Sequence, residues 1–193
     1  MAGEGKKKRE SMRRTAGISS MVVGIPNFVV AAVMCFGGIA LTILLGILAY
    51  ELFTGDSGEG PLGPVCVALV LVIVIVGLIV AVIATVLALI FALAMGGQSL
   101  GGYYALKGKN FGRAVTLTFI GTGVSFLFGA GLLLYGVFGD GWGWPRIVAL
   151  VWGAYDLFAS VVSLVAGILM IKAKDTFSKP GKKKGKKKKG KKK

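Results

Sequence analysis

The chain has no histidine, two cysteines and only eight acidic residues. Each shortage removes a class of chemistry. Without imidazole the commonest general base and the commonest zinc ligand are both missing. Cys35 falls in the inner half of one apolar stretch and Cys66 at the outer start of the next. Their depths differ by roughly 20 Å or more, beyond disulfide reach, so both read as small apolar fillers. Glu51, Asp56 and Glu59 share one short segment and read as a solvated acidic loop rather than an acid/base pair. No glycine-rich, lysine-bearing phosphate loop precedes a helix. These absences predict no catalytic residues, no metal, no cofactor and no small-molecule substrate: the chain is expected not to be an enzyme.

Charge is scarce too. Charged residues make up 16% of the chain, against about 25% in soluble domains. Between Ala114 and Arg146 the single charge is Asp140. What remains is 55% hydrophobic with a mean hydropathy of +0.79, which excludes a soluble domain and implies an integral membrane protein.

Four apolar stretches are long enough to cross about 30 Å of hydrocarbon. They cover about 27–52, 65–95, 114–138 and 146–171. Pro26 stands where a helix start tolerates it. Continuous apolarity rules out barrel strands, which alternate, so the fold class is all-α, a transmembrane four-helix bundle. The second stretch is about 46 Å long as a helix and could break near Gly77 into a hairpin. One long helix is preferred, because it keeps every Lys- and Arg-rich segment on one side, as cytoplasmic loops require. The expected domains are a basic cytoplasmic segment (1–20), the membrane domain (21–173) and a disordered lysine-rich tail (174–193). Both termini are then cytoplasmic, in a multi-pass protein of the cell membrane. Tyr50, Phe53, Trp142 and Trp144 would line the outer boundary, and Tyr103 and Tyr104 the inner. The basic N-terminus before an apolar run reads as an uncleaved anchor.

Small residues recur at four-residue spacing in every span: Gly38, Thr42, Gly46; Gly77, Ala81, Thr85; Gly121, Ser125, Gly129; Ala159, Ser163, Gly167. On one helix face, such stripes let backbones approach, within one chain or between copies in a homo-oligomer. "GGYYALKGKN" (101–110) and "AGILMIKAKD" (166–175) share a small-Gly-x-x-x-aliphatic-Lys-small-Lys pattern, consistent either with a duplicated helical hairpin or with ordinary snorkelling lysines. The layout, with Gly102-x-x-x-Leu106-Lys107-Gly108-Lys109 closing the second span, resembles small four-span prokaryotic integral membrane proteins of uncharacterised function. That resemblance implies the bundle and transfers no catalytic residues.

Asp156 is the one acidic or basic side chain deep in a span. It lies ten residues inward of Arg146, roughly 15 Å below the outer surface. Counting inward from the span ends places Thr42, Thr85 and Ser125 near its level, where a neutral Asp156 could donate a hydrogen bond to one of them. A buried carboxyl there reads either as a structural polar layer or as a proton or cation site of a small transporter or channel.

Residues 178–193, "SKPGKKKGKKKKGKKK", hold eleven lysines and no acid. Self-repulsion, Pro180 and spaced glycines oppose folding. Lys182, Lys183, Lys184, Lys186, Lys187, Lys188, Lys189, Lys191, Lys192 and Lys193, with Lys6, Lys7, Lys8, Lys107, Lys109 and Arg113, are the candidate anionic-surface residues. Their expected partners are membrane lipids, through anionic headgroups, or RNA and DNA bound through phosphates. With no arginine and no aromatic residue after Phe177, nucleic-acid binding would be unspecific.

Overall fold

The computed structural model describes residues 2–54, 64–139 and 143–177. Four α-helices follow in order: α1 Ala2–Thr54, α2 Pro64–Lys107, α3 Phe111–Phe138 and α4 Trp144–Lys172, closed by a 3-10 turn, Lys174–Thr176. All four are long and apolar enough to cross a membrane. The fold is an all-α four-helix bundle. Helix α1 packs on α2, α2 on α3, α3 on α4 and α4 back on α1, which closes the ring.

Two sequence expectations about α1 and α2 have different outcomes. Helix α2 runs unbroken through Gly77, so the hairpin alternative is excluded. Pro26, by contrast, does not start a helix; it lies inside α1. A proline there removes the bond to the carbonyl four residues back, a loss of about 3 kcal/mol in an isolated helix. Packing offsets it. Ala16, Gly17, Ser20, Val23, Gly24 and Asn27 are buried on the inner face, while Pro26 faces outward. The basic N-terminal residues are therefore the first turns of α1 rather than a separate segment.

The helices are unequal. With 53 residues in α1 and 44 in α2, they are about 80 Å and 66 Å long. The 28 residues of α3 and 29 of α4 give about 42 Å and 44 Å. The surplus lies at one end. From Asn27, which bonds Asp156, α1 continues 27 residues to Thr54, about 40 Å, whereas α4 reaches Trp144 in about 18 Å. The α1–α2 hairpin thus overshoots α3–α4 by about 22 Å. Leu41, Leu44, Ile73 and Ile79 on that extension are exposed.

At the opposite end the elements close tightly. Gly108, at φ +62°, ends α2: its N–H donates to Ala105 O (3.0 Å) and that of Lys109 to Tyr104 O (3.0 Å). This paired six-to-one and five-to-two pattern needs a residue free to adopt the left-handed region. Asn110, also left-handed, precedes α3. The segment assigned to a disordered tail from 174 is ordered as far as Phe177. That ring is buried with Ala16, Ala105, Ala114, Ala166 and Met170 and meets Phe111 edge-on at 5.3 Å. The apolar side chain of Phe177 is the reason order extends past α4. The lysines from 178 onward, with the disorder and anionic-surface binding expected of them, lie outside the described residues, as do Asp56, Glu59, Asp140 and Trp142.

Candidate functional site

Two places on the bundle carry polar chemistry: a buried core between the hairpins and the basic end.

The core site starts from α1. Arg13, Ser20 and Asn27 are seven residues apart, so they lie on one helix face, and all three are buried. Asp156 and Ser163 share the same spacing on α4, and Thr118 and Ser125 on α3; all are buried. Gln98 comes from α2. Together these side chains form a polar seam along the bundle axis. Asn27 Nδ2 donates to Asp156 Oδ1 at 3.0 Å. Ser125 Oγ donates to the backbone carbonyl of Asp156 at 3.2 Å. One layer further, Gln98 Nε2 donates to Ser163 Oγ at 2.5 Å and Ser20 Oγ to Gln98 O at 3.1 Å. Ser20 and Thr118 hydroxyls lie 3.4 Å apart.

The small-residue stripe of α3 has a specific use here. A Cβ at Gly121 would crowd the Gln98 side chain, and one at Gly129 would sit 3.0 Å from Asp156 Cβ. Glycine at these two positions makes room for the polar side chains arriving from α2 and α4. Elsewhere on the stripes Gly38 lies against the Thr85 hydroxyl, while the neighbours are apolar at Gly46, which faces Leu78, at Gly77, which faces Leu45, and at Gly167, which lies under Phe119. Phe91 and Phe128, with centroids 4.6 Å apart, close the seam on the Gly129 side. Met170 and Phe177 close it at the basic end.

Of the residues placed at the depth of Asp156, only Ser125 is there. Thr42 bonds its own helix at Gly38 O (2.8 Å), and Thr85 does the same at Ala81 O (2.7 Å). Thr42 lies fifteen residues beyond Asn27, about 22 Å away. The cause is simple: the overshoot of α1 and α2 makes the span ends a false ruler for depth. Hydropathy alone does not point to Asn27, Ser20 and Gln98 as site residues, although the seven-residue repeat Arg13–Ser20–Asn27 is visible in the sequence. Cys35 is a free, half-buried thiol; the side chain of Cys66 lies outside the described residues.

The basic end is built around Arg13. Its Nη1 donates to the last carbonyls of α2, Ala105 O (2.6 Å) and Leu106 O (3.1 Å), where a cation also meets the negative end of the helix dipole. The same guanidinium lies 5.7 Å from the Phe177 ring centroid. Arg9 pairs with Asp175 at 2.5 Å, tying the start of α1 to the chain after α4. Arg14 pairs with Glu10 at 2.9 Å. Lys107 lies over Tyr103 and Lys174 over Phe111. Lys6, Lys7, Lys8, Lys107, Lys109 and Arg113 are exposed at this same end. At the far end Arg146 caps α3, donating through Nε to Gly136 O (2.5 Å) and Nη2 to Val137 O (2.7 Å).

No family model, no curated protein and no solved structure matches the chain.

Proposed function

We propose that the chain is a non-enzymatic, multi-pass protein of the cell membrane whose basic end, on the cytoplasmic side, holds anionic lipid headgroups. The observation that carries this reading is the convergence of cations from all four helices. Lys6, Lys7 and Lys8 of α1, Lys107 at the end of α2, Arg113 of α3 and Lys172 of α4 are all exposed at one end of the bundle. The sequence continues from that end into thirteen lysines after Ile171.

Cations at the inner boundary of a span are what the topology of membrane insertion selects. They also meet the anionic leaflet, where each contributes up to about 1 kcal/mol near the surface at low screening. Several of the arginines have other work. Arg9, Arg13 and Arg14 are spent on Asp175, helix carbonyls and Glu10. The described lysines of this end, by contrast, are outward-facing charges, and a lysine binds phosphate as a point charge without base readout.

The test is lipid enrichment around the full-length protein reconstituted in nanodiscs of mixed phosphatidylglycerol and phosphatidylcholine. Phosphatidylglycerol should be enriched near the protein, and the enrichment should fall with salt. It should drop stepwise when Lys6, Lys7 and Lys8 become Gln and when residues 179–193 are removed. Equal recruitment of both lipids would refute the reading. Salt-sensitive capture of RNA that leaves lipid composition unchanged would replace it with nucleic-acid tethering.

A further inference from the structure

Beyond the basic end, we propose that Asp156 and Asn27 form a proton-binding site inside the bundle, in which a proton on the Asp156 carboxyl joins α4 to α1.

The argument rests on which atoms lack partners. Asp156 is 1% exposed and Asn27 0%. One hydrogen bond links them, from Asn27 Nδ2 to Asp156 Oδ1. The other two oxygens of the pair, Asn27 Oδ1 and Asp156 Oδ2, are both buried without a partner. Two buried acceptors on a hydrogen-bonded pair, neither with a donor, make an incomplete arrangement, because a buried polar atom left unbonded is costly. A single proton on Oδ2 completes it. The carboxylic acid then donates from Asp156 Oδ2 to Asn27 Oδ1 while the Asn27 amide donates to Asp156 Oδ1, and both unpartnered oxygens are satisfied at once.

The surroundings agree. A carboxylate at this depth would have one side-chain hydrogen bond and no counter-ion. Among the described residues of α1, α2 and α3, no Lys, Arg, Asp, Glu or His lies within two turns of this level; on α4 the neighbouring titratable group is the Tyr155 phenol. Arg13 is two heptads from Asn27, about 21 Å along α1, and its Nη1 is engaged by α2 carbonyls. A metal cation fits less well. Asn27 presents its amide hydrogens to the carboxyl, and no group of three or more acidic, cysteine or histidine ligands occurs among the described residues.

Position gives the site its consequence. Asn27–Asp156 is a buried polar link between the α1–α2 hairpin and the α3–α4 hairpin. Loss of the proton leaves a charge with one hydrogen bond in that seam, which is strongly unfavourable, so protonation state and the seating of α1 on α4 are coupled.

The experiment is infrared difference spectroscopy on the full-length protein in neutral-lipid vesicles, with aspartate carbons isotope-labelled. A carboxylic-acid carbonyl band should be present at neutral pH, diminish reversibly as pH is raised, disappear in Asp156→Asn, and be unaffected by sodium or potassium. Asn27→Val should keep the band but shift its frequency, since the acid loses its acceptor. Should Asp156→Asn fail to fold, the isotope shift together with the Asn27→Val shift makes the assignment. No such band at neutral pH overturns the proposal. So does a band that sodium removes, which would mean a cation site, or one that Asn27→Val leaves unmoved.

Discussion

One added methyl group tests the packing at the α1–α2 crossing. A Cβ on Gly102 would lie 2.7 Å from the Gly17 carbonyl oxygen and 2.8 Å from Met21 Cγ. The reciprocal contact is as close, with a Cβ on Gly17 falling 2.8 Å from Gly102 O. Backbone cannot swing aside as a side chain does, so Gly102→Ala must push the helices apart. Overpacking of this kind costs about 1–3 kcal/mol. Against that, replacing glycine by alanine in a helix gains about 0.5–1 kcal/mol. Gly123, in α3, supplies the control: an added Cβ there meets nothing within 4 Å, so only the gain applies. The two variants should therefore differ by about 1–3 kcal/mol, Gly102→Ala being the less stable. The assay is reversible unfolding of the full-length protein in mixed micelles by denaturing detergent, followed by circular dichroism. If Gly102→Ala proves as stable as Gly123→Ala, the helices do not approach at this crossing and the seam has been placed wrongly.

Three further outcomes are expected. Arg13→Met should cost about 2–4 kcal/mol, since two charged hydrogen bonds to α2 carbonyls are lost at a helix terminus; Arg13→Lys, unable to reach both carbonyls as a fork, should recover only part of this. Phe177→Ala should cost about 2–4 kcal/mol and speed proteolytic cleavage after α4, because the ring buried against Met170 is what holds that segment to the bundle. Ser125→Ala should be mild, about 1 kcal/mol, and should leave the infrared band of Asp156 in place, because Ser125 bonds the Asp156 backbone and not its carboxyl.

The sequence made the spans legible because each is apolar without interruption, and it made Asp156 legible because a lone carboxyl stands out against such a background. Its partner was not legible by the same logic. Asn27 follows Pro26, and the proline drew the helix start to the wrong place by at least six turns. Once α1 is known to begin at residue 2, the seven-residue repeat Arg13–Ser20–Asn27 is an ordinary buried face. Thr42 and Thr85 lie away from Asp156 for a related reason: the four spans do not begin level, and hydropathy carries no information on how far a helix projects past its neighbours. The stripes of small residues were readable as faces. Their division of labour was not, because whether a glycine admits a backbone, as Gly102 does, or a polar side chain, as Gly121 does for Gln98, depends on the partner helix.

The most direct test of the architecture is accessibility from the two sides of the membrane. Single cysteines placed at Lys8, Arg113 and Lys174 on one hand, and at Tyr50 and Gly139 on the other, would be probed with an impermeant maleimide in a Cys35- and Cys66-free background. Sealed right-side-out vesicles should label Tyr50→Cys and Gly139→Cys only, and inverted vesicles the other three only. Labelling of Lys8→Cys and Lys174→Cys from opposite faces would contradict the gathering of basic helix ends on one side, and with it the bundle described above.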